Sequence, residues 1–135
     1  MEQKDYILRE IEKIGLILIA IKQKLFGGKE NLAITIEKQM EETKDALLTE
    51  LKFDIDNFLS LDKAETEQYL SEFEGFNVEN TEHLADIISQ IGFAKKSENY
   101  LEKALQLYEF CIFSSKTFSL DRERRMEEIR RCLGS

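Results

Sequence analysis

Residues Ile88–Cys111, with the sequence ISQIGFAKKSENYLEKALQLYEFC, decide the fold class of this chain. The stretch reads as two amphipathic helical segments joined by a short polar turn. Gly92 on the first segment and Ala104 on the second are small enough for two helices to approach closely, and Tyr108 can fill the space beside them. The pattern therefore predicts a tightly packed helical hairpin.

The first 25 residues carry the longest helical pattern. Gly15 lies within it, where glycine costs about 1 kcal/mol relative to alanine, so we expect another helix to pack closely at this point. The other faces of the helix are also apolar between Ile14 and Ile21. Apolar residues spaced alternately four and three apart form its main stripe, which consists of Ile7, Ile11, Ile14, Leu18, Ile21 and Leu25.

Short polar residues mark the starts of later helices. Asp54 and Asp62 are candidate N-caps, and Glu65 completes a capping box with Asp62. Asn80 or Thr81 is expected to cap the first helix of the hairpin. The caps expected further along are Ser97 or Asn99 for the second hairpin helix and Ser119 for the last helix.

Helical periodicity extends to the end of the chain, and these elements predict one all-α domain over residues 1–135. Gly27 and Gly28 are placed to end the first helix, and a second is expected from Glu30 or Asn31. No segment alternates with a period of two, and the chain contains no proline. We expect a bundle of about six to seven helices: a long apolar pair at 1–51, short helices at 54–75, and the hairpin with a capping helix at 81–133.

The net charge of −8 is concentrated in the middle of the chain, where residues 31–91 contain fifteen acidic and four basic residues. An acidic surface repels nucleic-acid phosphate and anionic lipid, so we expect neither nucleic acid nor membrane as a partner. Cys111 and Cys132 are too few for a disulfide framework or a metal-ligand pair, and both are expected to be small apolar residues on helices. With no signal peptide at the start, the pattern favours the cytoplasm.

The hairpin resembles one tetratricopeptide (TPR) unit, a motif that builds binding surfaces rather than active sites. It departs from the family pattern at Lys95, where an apolar or aromatic residue is usual, and at Lys116, near the position of the missing closing proline. The pattern occurs once, whereas an array needs about three repeats to form a groove. The residues that carry the resemblance are Ile88, Ile91, Gly92, Leu101, Ala104, Tyr108 and Cys111.

The opening of the chain adds a second resemblance. A Lys-Asp-Tyr start at Lys4, followed by an Arg, an Ile-Glu pair, a long apolar helix and a late TPR-like hairpin, is similar to a family of small uncharacterised bacterial all-helical proteins. That resemblance implies a bacterial cytoplasmic protein. It supplies no activity, substrate or catalytic residue to carry over.

No signature of catalysis emerges from the polar residues. His83 could share a helix face with Glu79 and Asp86, but a metal site needs further ligands and there is no second histidine. We therefore expect a surface histidine, no catalytic residue, no metal and no cofactor, and we predict that the protein is not an enzyme. Acidic residues interleave with the arginines of the last helix, so we expect ion pairs within that helix for Arg122, Arg124, Arg125, Arg130 and Arg131.

The leading hypothesis is a helical interaction or scaffold module with a protein or peptide partner. Phe93 lies off the Leu84–Ile91 core stripe, so it is either exposed to a partner or packed on preceding helices. The partner-binding face of the hairpin is expected to present Asp86, Ser89, Gln90, Phe93 and Lys96.

Three alternatives stay open at this point. The first is a homodimer formed through the N-terminal helix, whose apolar surface exceeds what one neighbour can cover; its contact residues would be Ile7, Ile11, Ile14 and Leu18. The second is an enzyme or small-molecule binder with an unrecognised site. The third, peripheral membrane association through Ile14–Phe26, is disfavoured by the acidic charge and the narrow polar face.

Overall fold

The computed structural model describes residues 2–26, 33–73 and 75–134, and seven α-helices occupy these ranges. They are α1 (Glu2–Phe26), α2 (Ala33–Leu51), α3 (Ile55–Ser60), α4 (Lys63–Glu72), α5 (Val78–Lys95), α6 (Glu98–Ser115) and α7 (Leu120–Gly134). No strand occurs in these ranges, so the predicted all-α bundle of six to seven helices is confirmed. The glycine turn after α1 and the expected start of the second helix at Glu30 or Asn31 lie outside the described residues.

The central unit is the hairpin of α5 and α6, which have the most extensive contact of any helix pair described. A Cβ atom at Gly92 would lie 2.9 Å from Cδ2 of Leu101 and 3.0 Å from Cβ of Tyr100, so the close approach predicted at this glycine is present. Lys96 adopts the left-handed conformation that ends α5, and the amide of Ser97 then donates to the Gly92 carbonyl at 2.9 Å. The turn between the two helices is therefore short, and its backbone bonds close the end of α5.

α1 packs along α5 and supplies the second layer of the core. Ile14, Leu18 and Ile21 are buried there. A Cβ atom at Gly15 would lie 2.9 Å from Oδ1 of Asn80, which explains why the helix contains a glycine at this position. The close contact that was expected at Gly15 is therefore a contact with Asn80 of α5.

The N-terminus of α5 differs from the expectation. Its N-cap is Asn77, whose Oδ1 accepts from the Asn80 amide at 2.9 Å, rather than Asn80 or Thr81. The side-chain Nδ2 of Asn80 instead donates to the carbonyls of Ile11 at 2.9 Å and Gly75 at 2.6 Å. Both predicted caps are buried against α1, so tertiary contacts, which local sequence does not show, decided the outcome.

The predicted caps of α3, α4 and α7 are confirmed, whereas Ser97 precedes α6 without a side-chain capping hydrogen bond. Asp54 accepts from the amides of Asp56 and Asn57 at the start of α3. Asp62 and Glu65 form both halves of the capping box that begins α4. These caps determine where the two short helices, α3 and α4, begin.

A buried lysine fastens α3 and α4 to the hairpin. Lys103 on α6 donates from Nζ to the Leu61 carbonyl at 2.7 Å and to Oγ1 of Thr66 at 2.6 Å. Its ammonium also lies 5.4 Å from the centroid of the Phe58 ring. That ring belongs to a cluster of aromatic side chains in tilted or edge-on contact: Phe53, Phe58, Tyr69, Phe73 and Phe76.

Candidate interaction groove

A polar cleft lies where α1, α5 and α7 meet, and its volume is about 480 Å³. α1 contributes Lys22, and α7 contributes Arg122 and Arg125. α5 contributes one face along which residues spaced three and four apart align; the lining residues from this face are Glu79, Glu82, His83 and Asp86.

Asp86 is the centre of this cleft and is only 2% exposed. Its Oδ2 accepts from Nζ of Lys22 at 2.7 Å, and its Oδ1 accepts from Nη1 of Arg125 at 2.8 Å. Oδ1 also accepts from the hydroxyl of Tyr108 on α6. A buried carboxylate is tolerated only when it is paired and hydrogen-bonded, so these donors from three helices explain how α5 can carry an aspartate here.

Tyr108 and Ser89 complete the surroundings of this carboxylate. Burial, followed by the neighbouring charge of Asp86, raises the pKa of Tyr108 far above its usual value, so its hydroxyl remains a donor at any physiological pH. The Ser89 hydroxyl donates to the backbone carbonyl of Asp86 at 2.9 Å. Both side chains are therefore buried and hydrogen-bonded within the protein rather than exposed to solvent.

His83 lies one turn before Asp86 and is half-buried beside Lys22. Burial, with the ammonium of Lys22 as a second cause, lowers the pKa of His83 below 6.5. The ring is consequently neutral at pH 7. Its Nδ1 lies 3.2 Å from Nζ of Lys22, and because an ammonium can only donate, Nδ1 accepts and Nε2 carries the ring proton.

The arginines of α7 pair across the bundle rather than along their own helix. Arg122 donates from Nε to Oε1 of Glu82 at 2.8 Å and from Nη1 to the carbonyl of Thr117 at 3.2 Å. Together with the Arg125–Asp86 pair, this contact anchors α7 on α5. The prediction of ion pairs within the last helix is thus wrong for these two arginines, and the described residues show such a pair only between Arg130 and Glu127, at 3.9 Å.

A second hollow, with a volume of about 260 Å³, continues from the polar cleft along the outer side of α1. Leu16 is 70% exposed and Ile19 is also exposed at its edge. Glu79 and His83 line both hollows, so the two adjoin each other. We call this combined surface the α1–α5 groove: it is apolar at the Leu16 end and charged at the Asp86 end.

The residues expected to form the partner-binding face are not brought together on one open surface. Asp86 is buried under α1 and α7, Ser89 is also buried, and Gln90 is half-buried. Phe93 is also half-buried and packs against the core. Lys96 is exposed at the end of α5. The face of α5 expected to be open is covered at Asp86 by α1 and α7, which sequence periodicity alone does not reveal.

The residues expected to mediate self-association divide between core and surface. Ile14 and Leu18 are buried in the core, Ile11 is half-buried, and Ile7 is exposed beyond the end of the core. Apart from Ile7, the exposed large apolar residues of α1 lie off this stripe; they are Tyr6, Leu8, Leu16 and Ile19. The apolar character of those faces was visible in the sequence, but not which face α5 would cover.

The two cysteines differ in their surroundings. Cys111 is buried on the core side of α6, as expected, and burial raises its pKa to about 12. Cys132 lies on α7, a helix as expected, and is exposed there. The thiol of Cys111 is therefore protonated at neutral pH and is a poor nucleophile.

Comparison with known proteins adds no assignment: no family model, curated protein or solved structure matches the chain. Across residues 2–26, 33–73 and 75–134, no group of three or more histidine, cysteine or acidic side chains is placed to hold a metal ion. In the same ranges, none of the helices combines the length and hydropathy that a membrane-spanning segment requires.

Proposed function

We propose that this protein is a non-enzymatic helical interaction module that binds a protein or peptide segment along the α1–α5 groove. The observation that carries the proposal is Leu16, which is 70% exposed beside an apolar hollow that leads into a charged cleft. Contiguous apolar patches rimmed by polar residues are characteristic of protein interaction sites, and the exposed Ile19 extends the apolar surface at Leu16 in the same hollow.

The groove also indicates the chemistry of its partner. The apolar end suits one or two apolar side chains spaced along an amphipathic helix. The charged end supplies both Arg125, which is part-exposed, and the exposed carboxylates of Glu79 and Asp121. We therefore expect a partner segment with apolar residues at one end and polar or charged residues of both signs at the other.

The charged groups of the cleft support binding rather than catalysis. Asp86 is occupied by three donors, Arg122 is occupied by Glu82, and the Cys111 thiol is buried. A general base or nucleophile must instead be able to reach a substrate. The resemblance of α5 and α6 to a TPR unit agrees with an interaction role, and the small number of cysteines agrees with a reducing, cytoplasmic setting.

Selection of binding peptides from a random library tests the proposal. Wild-type protein is immobilised as bait, and the enriched peptides are then measured against two variants. Leu16→Glu places a charge in the apolar end of the groove and should weaken binding about tenfold or more. Leu48→Glu is the matched control, because Leu48 is 53% exposed on α2, outside the residues that line the groove.

Peptides that bind wild type and Leu48→Glu equally but bind Leu16→Glu weakly would support the groove as the site. Each variant is checked for unchanged helicity and melting temperature beforehand. If selection enriches no peptide, or if the enriched peptides bind all three proteins alike, the α1–α5 groove is not the interaction site.

A further inference from the structure

Glu79 and His83 lie where the two hollows of the α1–α5 groove adjoin, since both residues line both hollows. They are four positions apart on α5, so their side chains are neighbours on one face of the helix, with Cβ atoms about 5–6 Å apart. They share one hollow with Leu16 and the other with Asp86. A segment that fills both hollows must therefore pass these two side chains.

The imidazole of His83 presents a hydrogen-bond donor to the groove. Its Nδ1 accepts from Nζ of Lys22 at 3.2 Å, and Oδ2 of Asp86 holds the same ammonium at 2.7 Å. The ring proton is therefore on Nε2, on the side of the ring away from Lys22. Among residues 2–26, 33–73 and 75–134, no group accepts a hydrogen bond from Nε2, so this donor is available to a bound partner.

The carboxylate of Glu79 places an acceptor beside this donor. Glu79 is exposed, and within the described ranges its side chain forms neither an ion pair nor a hydrogen bond. Burial and then Lys22 lower the pKa of His83, and the charge of Glu79 opposes this lowering, so the two groups are close enough to interact. The other carboxylates that line the cleft from α5 are already paired with cations of α1 and α7.

A donor next to an acceptor is the pattern that a carboxamide completes. The side-chain oxygen of asparagine or glutamine accepts, and the adjoining NH₂ group donates. A carboxylate could accept from His83, but Glu79 would repel it. An ammonium could pair with Glu79, but it has no acceptor for the His83 donor. The backbone amides of a helical partner are bonded within its own helix, so a side chain must supply this contact.

We propose that Glu79 and His83 select an asparagine or glutamine in the segment that binds along the α1–α5 groove. The carboxamide oxygen accepts from Nε2 of His83, and the NH₂ group donates to the Glu79 carboxylate. The selected residue lies between the apolar residues seated beside Leu16 and the polar residues seated in the Asp86 cleft. This inference rests on the function proposed for the groove and goes beyond it, because it names one residue type of the partner.

A matched peptide series tests the selection. Helical peptides enriched on wild type and weakened by Leu16→Glu are sequenced, and they should share an asparagine or glutamine next to their apolar residues. The parent peptide is then synthesised with glutamine, glutamate, lysine or methionine at this position. Fluorescence anisotropy at about pH 7 should show that wild type binds the glutamine form about tenfold or more tightly than each of the others.

Variants of the protein assign the preference to the two residues. Glu79→Gln removes the repulsion and introduces an NH₂ group, so the glutamate peptide should gain about tenfold in affinity and bind as well as the glutamine peptide. Glu102→Gln makes the same change at an exposed carboxylate of α6 and should keep the wild-type preference.

The His83 donor is tested separately. His83→Leu removes it and should bring the glutamine and methionine forms to similar affinities. His83→Gln keeps an N–H donor near the position of Nε2 and should restore most of the difference, which a merely structural histidine would not require. Circular dichroism confirms that each variant is folded.

The outcomes separate the selection from the groove itself. If no enriched peptide depends on Leu16, the groove is not the interaction site and the carboxamide selection fails with it. If the peptides depend on Leu16 but wild type binds the glutamine and glutamate forms alike, the groove remains and the selection is overturned. A tenfold preference that persists unchanged in Glu79→Gln or in His83→Leu would also overturn it.

Discussion

Asp86→Asn is the substitution that most directly tests how the bundle is held together. The aspartate joins α5 to α1 through Lys22, to α7 through Arg125 and to α6 through Tyr108. Asparagine has the same shape, but one of its two terminal groups is an amide NH₂. Because Lys22 and Arg125 are donors only, one of them would face another donor, and both cations would lose the charge that compensates them.

The expected loss follows from the exposure of each partner. A hydrogen bond to a charged acceptor contributes about 1.5–3 kcal/mol when buried. The Lys22 side chain is 21% exposed, so we assign the lower value, about 1.5 kcal/mol. The Arg125 side chain is 42% exposed, and solvent screening reduces its share to about 0.5 kcal/mol. With about 1 kcal/mol for the weakened Tyr108 bond, Asp86→Asn should destabilise the fold by about 3 kcal/mol.

Equilibrium unfolding in urea, followed by far-ultraviolet circular dichroism at pH 7, measures this loss. With a denaturant dependence of about 1.5 kcal/mol per molar, the midpoint should fall by about 2 M. Glu79→Gln is the control, since it removes an exposed carboxylate from the same helix and cleft and should change stability by less than about 0.5 kcal/mol. If Asp86→Asn also stays within that margin, the ion pairs do not hold the helices together and the reasoning fails.

Three further predictions concern packing, pH and reactivity. Gly92→Ala should lower the free energy of unfolding by about 1–3 kcal/mol in a urea titration, because the new Cβ would lie 2.9 Å from Leu101. This loss is expected despite the better helix propensity of alanine. Gly134→Ala is the control and should be neutral, since no atom lies within 4 Å of the added Cβ. The folded state holds the pKa of His83 below 6.5, so the unfolded chain takes up a proton first as the pH falls. The free energy of unfolding should therefore decrease as the pH drops below 6.5. His83→Gln should flatten this part of the plot of stability against pH, and parallel plots for wild type and variant would contradict the assignment. A thiol reagent should modify the exposed Cys132 rapidly in the native protein. It should modify Cys111, which is buried and has a pKa raised to about 12, only after unfolding. Equal modification rates in the native state would show that α6 opens readily.

The helices were predictable from sequence because each carries its own periodicity, and α3 and α4 also carry recognisable caps. The hairpin of α5 and α6, the glycine contact at Gly92 and the caps of α3 and α4 all depend on residues within a few positions of one another. Such signals are local, so they can be recognised without knowing which distant residues each helix contacts. The all-α class therefore followed from the periodicity of the chain alone.

The groove was not predictable, because its contacts join distant parts of the chain. Asn80 and Arg122 have the sequence signals of a cap and of a helix-surface arginine, but Asn80 bonds to the Ile11 carbonyl and Arg122 to Glu82. Nothing near either residue specifies those partners. The same limitation affected Asp86, which was expected on an open face and is the most enclosed charge of the cleft.

The packing of α1 against α5 also determines when α1 can become buried during synthesis of the chain. Lys22 and Asp86 are 64 residues apart, so at a synthesis rate of 5–20 residues per second the ribosome needs about 3 to 13 s to add Asp86 after Lys22. During that interval the apolar stripe of α1 has been synthesised, but the part of α5 against which it packs has not. Slower translation lengthens the period in which Ile14 and Leu18, which are buried in the folded protein, remain exposed to solvent.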